Sequence, residues 1–511
     1  MDMKYWAPTR VLSGTGCLMS YRSELVPLGK KALIVTGSSS AKANGSLADA
    51  VAALEANGQK WALYDRVPAN PGAACAYEGA ALARSEGCDF VLAIGGGSPM
   101  DAAKVMALLA KKDIPEADLF SGAYGEAALP IVCVPTTAGT GSEATQYAII
   151  TNDAAETKSG IATPLFFPRL ALLDAKYLAH VPRRTMVNTV IDSLSHSMEG
   201  MLSCRANEIT DALAARALAM VAECLGPLAE NSLTDAMRER LLLASAMGGM
   251  VIANTGTTAL HAMGYSLTYF HGIDHGRANG LLIVAYLGFV RGSRPALVQR
   301  ILSALGMGDL ATLAWTLERL LGEKERIDAS EFAKYADKAA ASKNIANCAV
   351  PPGRDEILAM FAESFSPRRF GGDAALSRHA VIEYVRLEDY IPAAHFRTIL
   401  PKLRDVPPGV TEIPVELELS PKFSSKVDVP VTWDGKVYGF VHDNDRLKAV
   451  FTGKMAKAYE SRRVFVNDWG DDFLVTLENG ARDCEATFLV TADEVRALFE
   501  NCRVLRDDGT I

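Results

Sequence analysis

The chain of 511 residues is 49% hydrophobic and 22% charged, with a net charge of −8, which is the make-up of an ordinary globular protein rather than a fibrous or disordered one. That acidic balance, with no lysine/arginine block in it, excludes an electrostatic case for nucleic acid or an anionic membrane surface as partner. Nine cysteines stand scattered and never as C-x-x-C, which speaks for reduced thiols and against a disulfide framework or zinc knot.

Met1 to Arg10 shows no apolar run behind a basic cap, so no signal peptide is expected. The longest strongly apolar stretch is read as Leu281 to Val290, far short of the ~20 residues a bilayer span needs. The expectation is a cytoplasmic chain. From Lys31–Thr36 onward, strand-like runs (Trp61–Tyr64, Asp89–Ile94, Pro130–Val134) alternate with helix-like ones (Leu47–Asn57, Ala73–Glu86, Asp101–Lys111). That alternation predicts a mostly parallel sheet covered on both faces, a Rossmann-like α/β domain over residues 1–182. From Arg183 long helical segments take over, Thr185–Ser203, Asn207–Glu230, Asp235–Thr255 and one beginning near Thr258, and predict an all-helical domain over 183–404. Beyond it, Asp434-Gly435 and Asn479-Gly480 separate β-prone runs such as Lys436–Val441 and Asp472–Leu477. These are hairpin signals, and residues 405–511 are read as a small β-rich appendage with a helix at Thr491–Phe499.

Three loops carry candidate chemistry. Gly95-Gly96-Gly97-Ser98 runs from a strand into a helix that holds Asp101 and Lys104; such glycines let a diphosphate approach the backbone, and the free N–H groups of the helix start meet its charge. A structural turn is the plain alternative. Pro135-Thr136-Thr137-Ala138-Gly139-Thr140-Gly141-Ser142-Glu143 offers hydroxyls and glycines at a second strand end, or an ordinary capped turn. Together they fall where open α/β sheets bind ligands. The first strand ends in Gly37-Ser38-Ser39-Ser40-Ala41-Lys42, with no carboxylate to hold a 2′-hydroxyl, so NADP(H) is favoured over NAD(H).

Asp192 and His196 stand four apart on one helix and so share a face. Downstream come His261 and the segment Asp274-His275-Gly276-Arg277-Ala278-Asn279-Gly280. A carboxylate with imidazoles is a donor mix for Fe2+ or Zn2+, although an i,i+4 Asp/His pair is commonly a surface contact.

Taken together, Gly95–Lys104, Pro135–Glu143, Asp192–Glu199 and His261 with Asp274–Gly280 resemble, in order and spacing, the iron-containing (group III) alcohol dehydrogenases over about residues 5–365. The resemblance implies a dehydroquinate-synthase-like fold, with a nucleotide domain, a helical metal domain, the active site in the cleft between them, and common dimers. It implies Asp192, His196, His261 and His275 as metal ligands. Cofactor contacts would be Gly96, Gly97, Ser98, Asp101, Thr136, Thr137 and Thr140, with Asn70 near the adenosine half and Lys158 near the nicotinamide ribose. The end of the first strand, Gly37, Ser38 and Ser39, looks like the NADP-using branch.

Two departures stand out. Many relatives carry a further histidine four residues after the match to His261; here that position is Tyr265, and His271 is this chain's own addition. Either is a candidate proton relay. Residues from about 366 lie beyond the family core. The implied activity is metal-assisted hydride transfer between a nicotinamide cofactor and a small aldehyde or primary alcohol. A zinc-dependent polyol dehydrogenase of the same fold is the near alternative, and a non-catalytic scaffold acting through the C-terminal appendage the distant one.

Overall fold

The structure, a computed structural model, describes residues 3–365 except Ala123 and Glu126, together with nine strand segments between residues 396 and 491. The chain divides into two compact units, Met1–Gly306 with Thr316–Phe365, and Met307–Trp315 with Ser366–Ile511.

In the first unit the strands are β1 (Arg10–Ser13), β2 (Lys31–Gly37), β3 (Lys60–Val67), β4 (Phe90–Gly95), β5 (Ile131–Pro135), β6 (Tyr147–Asn152), β7 (Thr157–Ala162) and β8 (Leu170–Leu173). Six of them form one sheet in the order β1-β8-β5-β4-β2-β3, with every pairing parallel. The short helices α1 (Cys17–Ser20) and α2 (Ser40–Ala43), then α3 (Ser46–Ala56), α4 (Ala73–Ser85) and α5 (Gly97–Leu109), connect them. Alternation in β2 feeds two cores. Leu33 and Val35 pack in one cluster with residues of α4 and α5, while Ala32 and Ile34 pack in the other with Leu18, Ala50 and Leu54. A central strand covered on both faces reads as an unbroken apolar run, as this one does. The chain turns outward from β2 to β3 and then returns to β4 on the other side of β2. The switch point therefore lies between the carboxyl ends of β2 and β4, where such sheets bind ligands.

Between Leu173 and Arg183 the architecture changes to helices: α6 (Arg183–Met201), α7 (Glu208–Ala229), α8 (Asp235–Thr255), α9 (Ala259–His271), α10 (His275–Ser293), α11 (Pro295–Ala304), α12 (Leu310–Leu321), α13 (Phe332–Ala340) and α14 (Arg354–Phe365). Buried along nearly all its length, α6 packs against α7, α8 and α10. A capping box of Asn207 and Thr210 starts α7, each side chain satisfying a donor that the first turn leaves open. The expectation that Leu281–Val290 is the longest apolar stretch needs correcting. By length and composition α7 suffices to cross a membrane, as do α8 and α9 if the two, bent by 112°, are counted together. In this fold α7 packs against α6 and α8.

In the second unit β9 (Phe396–Thr398), β10 (Glu412–Glu418), β11 (Val431–Trp433), β12 (Lys436–Tyr438), β13 (Val441–Asp443), β14 (Arg446–Thr452), β15 (Arg463–Trp469), β16 (Asp472–Glu478) and β17 (Cys484–Thr491) are described. They pair as β10-β14-β13, β11-β12 and β17-β16-β15-β9. Trp433 pairs with Lys436, so the two strands flank Asp434-Gly435 as the hairpin signal predicts. Thr491 ends β17, and the rest of the helix expected there lies outside the described residues. So does the stretch of the expected helical domain from 366 to 404, apart from Phe396–Thr398, which pairs with β15.

Candidate metal and nucleotide site

Helix α6 presents Asp192, His196 and Glu199 at i, i+4 and i+7, one face of a 3.6-residue helix. Helix α9 opens with His261 on its first turn, and α10 opens with His275. Four groups converge. Asp192 Oδ1 lies 4.0 Å from His196 Nε2, 3.8 Å from His261 Nε2 and 3.7 Å from His275 Nε2, and the Nε2 atoms of His196 and His261 are 3.1 Å apart. Among the described residues, Asp192, His261 and His275 form a cluster whose ligand atoms lie within 4.8 Å of one another. Asp192, His196 and His261 are buried.

The other edges of the rings decide which nitrogen faces inward. His261 Nδ1 faces Glu199 Oε2. The second Glu199 oxygen accepts from Thr258 N and Thr258 Oγ1 at 2.7 Å and from His261 N at 3.3 Å. His196 Nδ1 faces the carbonyl of Gly139 at 3.3 Å. Both rings therefore turn a bare Nε2 to the centre, the tautomer a metal ligand needs. Burial lowers the His196 pKa, and burial together with the neighbouring His261 and Lys158 charges holds His275 well below its ordinary value. Burial works the same way on His261, but the Glu199 charge beside it wins and raises that pKa. Burial likewise opposes a low pKa for Glu199, and His261 with Thr258 overcomes it. One aspartate and three imidazoles aimed at one point, with His275 the partly exposed member, fit a divalent iron or zinc ion.

At the switch point the glycine turn and the threonine loop lock together. A Cβ on Gly97 would lie 2.8 Å from Thr140 Cγ2, and one on Gly96 would lie 3.0 Å from Thr137 Oγ1. Thr136 N donates to Gly95 O at 2.9 Å. Thr137 Oγ1 is buried with no hydrogen-bond partner, a polar atom ready for a ligand. Ser98 Oγ accepts from Asn70 N at 3.3 Å, and Lys158 Nζ donates to Asn70 Oδ1 at 2.8 Å. Asn70 itself sits at φ 53°. Gly96, Gly97, Ser98, Thr136, Thr137, Thr140, Asn70 and Lys158 are thus brought together by the turn, the loop and β7, while Gly37, Ser38 and Ser39 lie at the end of the adjacent β2.

Asp101 points the other way. Its Oδ1 accepts from Ser142 Oγ at 2.6 Å and its Oδ2 from Ile149 N at 3.0 Å, so both oxygens are spent inside the protein. Lys104, fully buried, donates to Ser142 O, Ser142 Oγ, Thr145 O, Thr145 Oγ1 and Tyr147 O. Burial raises the Asp101 pKa and lowers that of Lys104.

Tyr265 lies against the histidine cluster: its ring stacks on His275 at 5.5 Å and meets His261 edge-on at 6.2 Å. His271 turns instead toward α13, with Nε2 2.8 Å from Tyr335 Oη and 3.5 Å from Glu331. Glu199 and Asn279, whose Nδ2 lies 3.2 Å from Asp192 Oδ1, are the residues that sequence reasoning left without a role. Their spacing, seven after Asp192 and four after His275, was the signal available. The end of β2 also holds more charge than the sequence suggests, because Asp65 of β3 reaches Lys42 at 2.5 Å.

The profile described as "Iron-containing alcohol dehydrogenase" matches residues 8–175, and that of the C-terminal domain of the Fe-containing alcohol dehydrogenase family matches residues 186–365. Alcohol dehydrogenase 4 of Schizosaccharomyces pombe is 34% identical over 283 residues, covering 55% of this chain and 66% of that protein. Lactaldehyde reductase of Escherichia coli is 33% identical over 277 residues, 53% of this chain and 71% of that protein. An iron-containing alcohol dehydrogenase from Thermotoga maritima superposes with a TM-score of 0.67 at 34% identity, covering 72% of this chain and all of the other. Sulfoacetaldehyde reductase from Bifidobacterium kashiwanohense, solved with NAD+, gives 0.65 at 27% identity over 72% of this chain and 99% of its own. Fold and site define a metal-dependent oxidoreductase. The chain belongs to the iron-containing alcohol dehydrogenase family.

Proposed function

We propose that this chain transfers a hydride between a nicotinamide cofactor and a small aldehyde or primary alcohol at a divalent metal, Fe2+ in preference to Zn2+. The observation that carries the reading is the convergence of Asp192, His196, His261 and His275 at one point. When bound, the metal supplies Lewis-acid polarisation of a carbonyl oxygen and the nicotinamide supplies the hydride.

The protein's own residues hold and aim. Glu199 and Gly139 O fix the His261 and His196 rings. Asn70 and Lys158 form one hydrogen-bonded unit on the nucleotide side. Tyr265, its pKa raised by burial, keeps its proton at working pH and stands beside His261 and His275 as the proton donor to a nascent alkoxide. His271, tied to Tyr335, is the weaker relay candidate.

NADP(H) is the preferred cofactor on this reading. Gly37, Ser38 and Ser39 bring no charge, and Lys42 pairs with the carboxylate of Asp65. The enzyme is read as a cytoplasmic homodimer. Exposed Met3, Trp6, Met19, Tyr21 and Val26, which precede or follow the edge strand β1 in the chain, support self-association. Metal analysis after iron loading, with NADPH and NADH oxidation followed over a panel of short aldehydes, tests the proposal; a metal-replete protein that oxidises neither cofactor refutes it.

A further inference from the structure

Strands β6 and β7 stand outside the main sheet and pair with each other as an antiparallel hairpin. The rung next to its tip is Thr151 opposite Lys158, and this rung is bonded to the nucleotide side. Thr151 N donates to Pro71 O at 2.9 Å, Thr151 Oγ1 to Asn70 O at 2.9 Å, and Lys158 Nζ to Asn70 Oδ1 at 2.8 Å. The turn just beyond, Asp153-Ala154-Ala155-Glu156, is exposed and reaches the helical side. Lys338 Nζ of α13 donates to Ala155 O at 3.0 Å, and Tyr269 Oη of α9 donates to Asp153 Oδ1 at 3.3 Å. Glu156 Oε2 lies 3.5 Å from Lys338 Nζ and 3.6 Å from Lys334 Nζ. One short turn thus bridges the two halves that flank the cleft.

Glu156 sits at φ 48° and ψ 47°, the left-handed region where glycine or asparagine is the usual occupant. A glutamate in that place is best explained by its carboxylate. Its two partners stand four apart on α13 and share a face. Phe270 of α9 lies beneath them, its ring centroid 3.8 Å from Lys334 Nζ and 5.6 Å from Lys338 Nζ, so a cation–π contact holds the ammonium groups toward the turn. Phe270 in turn stacks on Tyr335 at 5.4 Å. The side chains of Lys334 and Glu156 are 50% and 52% exposed. Ion pairs that open to water are individually weak and screened by salt. Contacts of this kind hold a cleft together yet part readily, which a buried pair does not.

We propose that Glu156 with Lys334 and Lys338 is a clasp across the cleft, one that parts when the nucleotide leaves, and that Glu156 is a positioning residue for Lys158 two residues further on. The inference rests on the nicotinamide reading given above.

Stopped-flow release of NADPH and of NADH from the metal-loaded full chain, followed by nucleotide fluorescence, tests this. Glu156→Gln should release nucleotide about tenfold faster, the scale of two exposed ion pairs, and raise the KM for nucleotide to match. Metal content should stay at the wild-type level and kcat should not fall. The double variant Lys334→Met with Lys338→Met should give the same acceleration, and adding Glu156→Gln to it should give no more. Added salt should speed release from wild type more than from Glu156→Gln. In protein free of nucleotide, hydrogen exchange over residues 151–158 should be faster in Glu156→Gln than in wild type. A wild-type release rate in Glu156→Gln, an equal salt response, or equal exchange over that segment overturns the proposal. A fall in kcat with release unchanged overturns it too, since the side chain would then act on the chemical step alone. Wild type that binds neither NADPH nor NADH overturns the nicotinamide reading, and the exchange comparison, which needs no nucleotide, tells that failure apart from failure of the clasp.

Discussion

Glu199 and His261 form a buried pair in which one carboxylate oxygen takes the back of the imidazole ring and the other takes the backbone N–H of the same residue. The carboxylate thus fixes both the placement and the tautomer of one metal-facing ring, from a position on the helix that also carries Asp192 and His196.

Replacing it should be felt in metal binding before anything else. Glu199→Ala is expected to weaken metal affinity about ten- to a hundredfold, measured by chelator competition on protein of unchanged fold. Glu199→Gln, which still accepts from Thr258, should lose less.

Tyr265→Phe removes a hydroxyl and leaves the ring that stacks on His275. Metal content should stay at wild-type level while kcat falls by a factor of about 100, the lower end of what a positioned proton donor contributes. Steady-state kinetics beside metal analysis gives both readings, and an unchanged kcat removes Tyr265 from the proton path.

Cofactor choice should turn on Lys42. Lys42→Ala is expected to raise the Kd for NADPH at least about tenfold, the scale of a lost charge-assisted hydrogen bond, while NADH binding changes little. Added salt should weaken NADPH binding to wild type more than to the variant. Fluorescence titration of both nucleotides at two salt concentrations reads this directly.

Lys104 is expected to matter for stability rather than for chemistry. Lys104→Met leaves three carbonyls and two hydroxyls of the Ser142–Tyr147 segment short of their donor and Asp101 without its neighbouring charge. Breaking a buried charged arrangement from one side costs about 3–5 kcal/mol, seen as a fall in the urea midpoint.

Glu143 gives a pH signature. Both its oxygens are buried without hydrogen-bond partners, and burial pushes its pKa from the ordinary 4.5 up to about 7. The folded state therefore keeps the proton where the unfolded chain has lost it. The effect is absent below about pH 4.5, and stability falls as pH rises from there to about 7, by up to about 3 kcal/mol. Above pH 7 the loss is complete and constant. Denaturation of wild type and Glu143→Gln at pH 5 and pH 8 should show a shallower decline in the variant; parallel declines would remove the assignment.

Much of this site is legible in local spacing. The pair Asp192 and His196 is an i,i+4 face, and three glycines between a strand and a helix mark the turn after β4. Asp101 shows where such reading stops. In the chain it stands beside a phosphate-type turn, yet its partners Ser142 and Ile149 are 41 and 48 residues away, and no local pattern reports a bond of that range. Lys104 is hidden for the same reason. Strand β8, Leu170-Ala171-Leu172-Leu173, is too short and uniform to distinguish from helix, and β1, with its half-exposed Arg10–Ser13, shows no period at all. Asn279 escapes notice because nothing in its own helix reveals that Gly264 of another helix leaves room for it.

The carbonyl that orients His196 belongs to Gly139, and Gly139 belongs to the threonine loop that closes on the glycine turn. A ring on the helical side therefore takes its bearing from backbone on the sheet side. Any shift that a nucleotide imposes on that loop reaches the imidazole within one hydrogen bond, and an ion that fixes the imidazole stiffens the loop in return. Occupancy of either place then alters affinity at the other by the same factor, so protein stripped of its ion should hold its nucleotide less well.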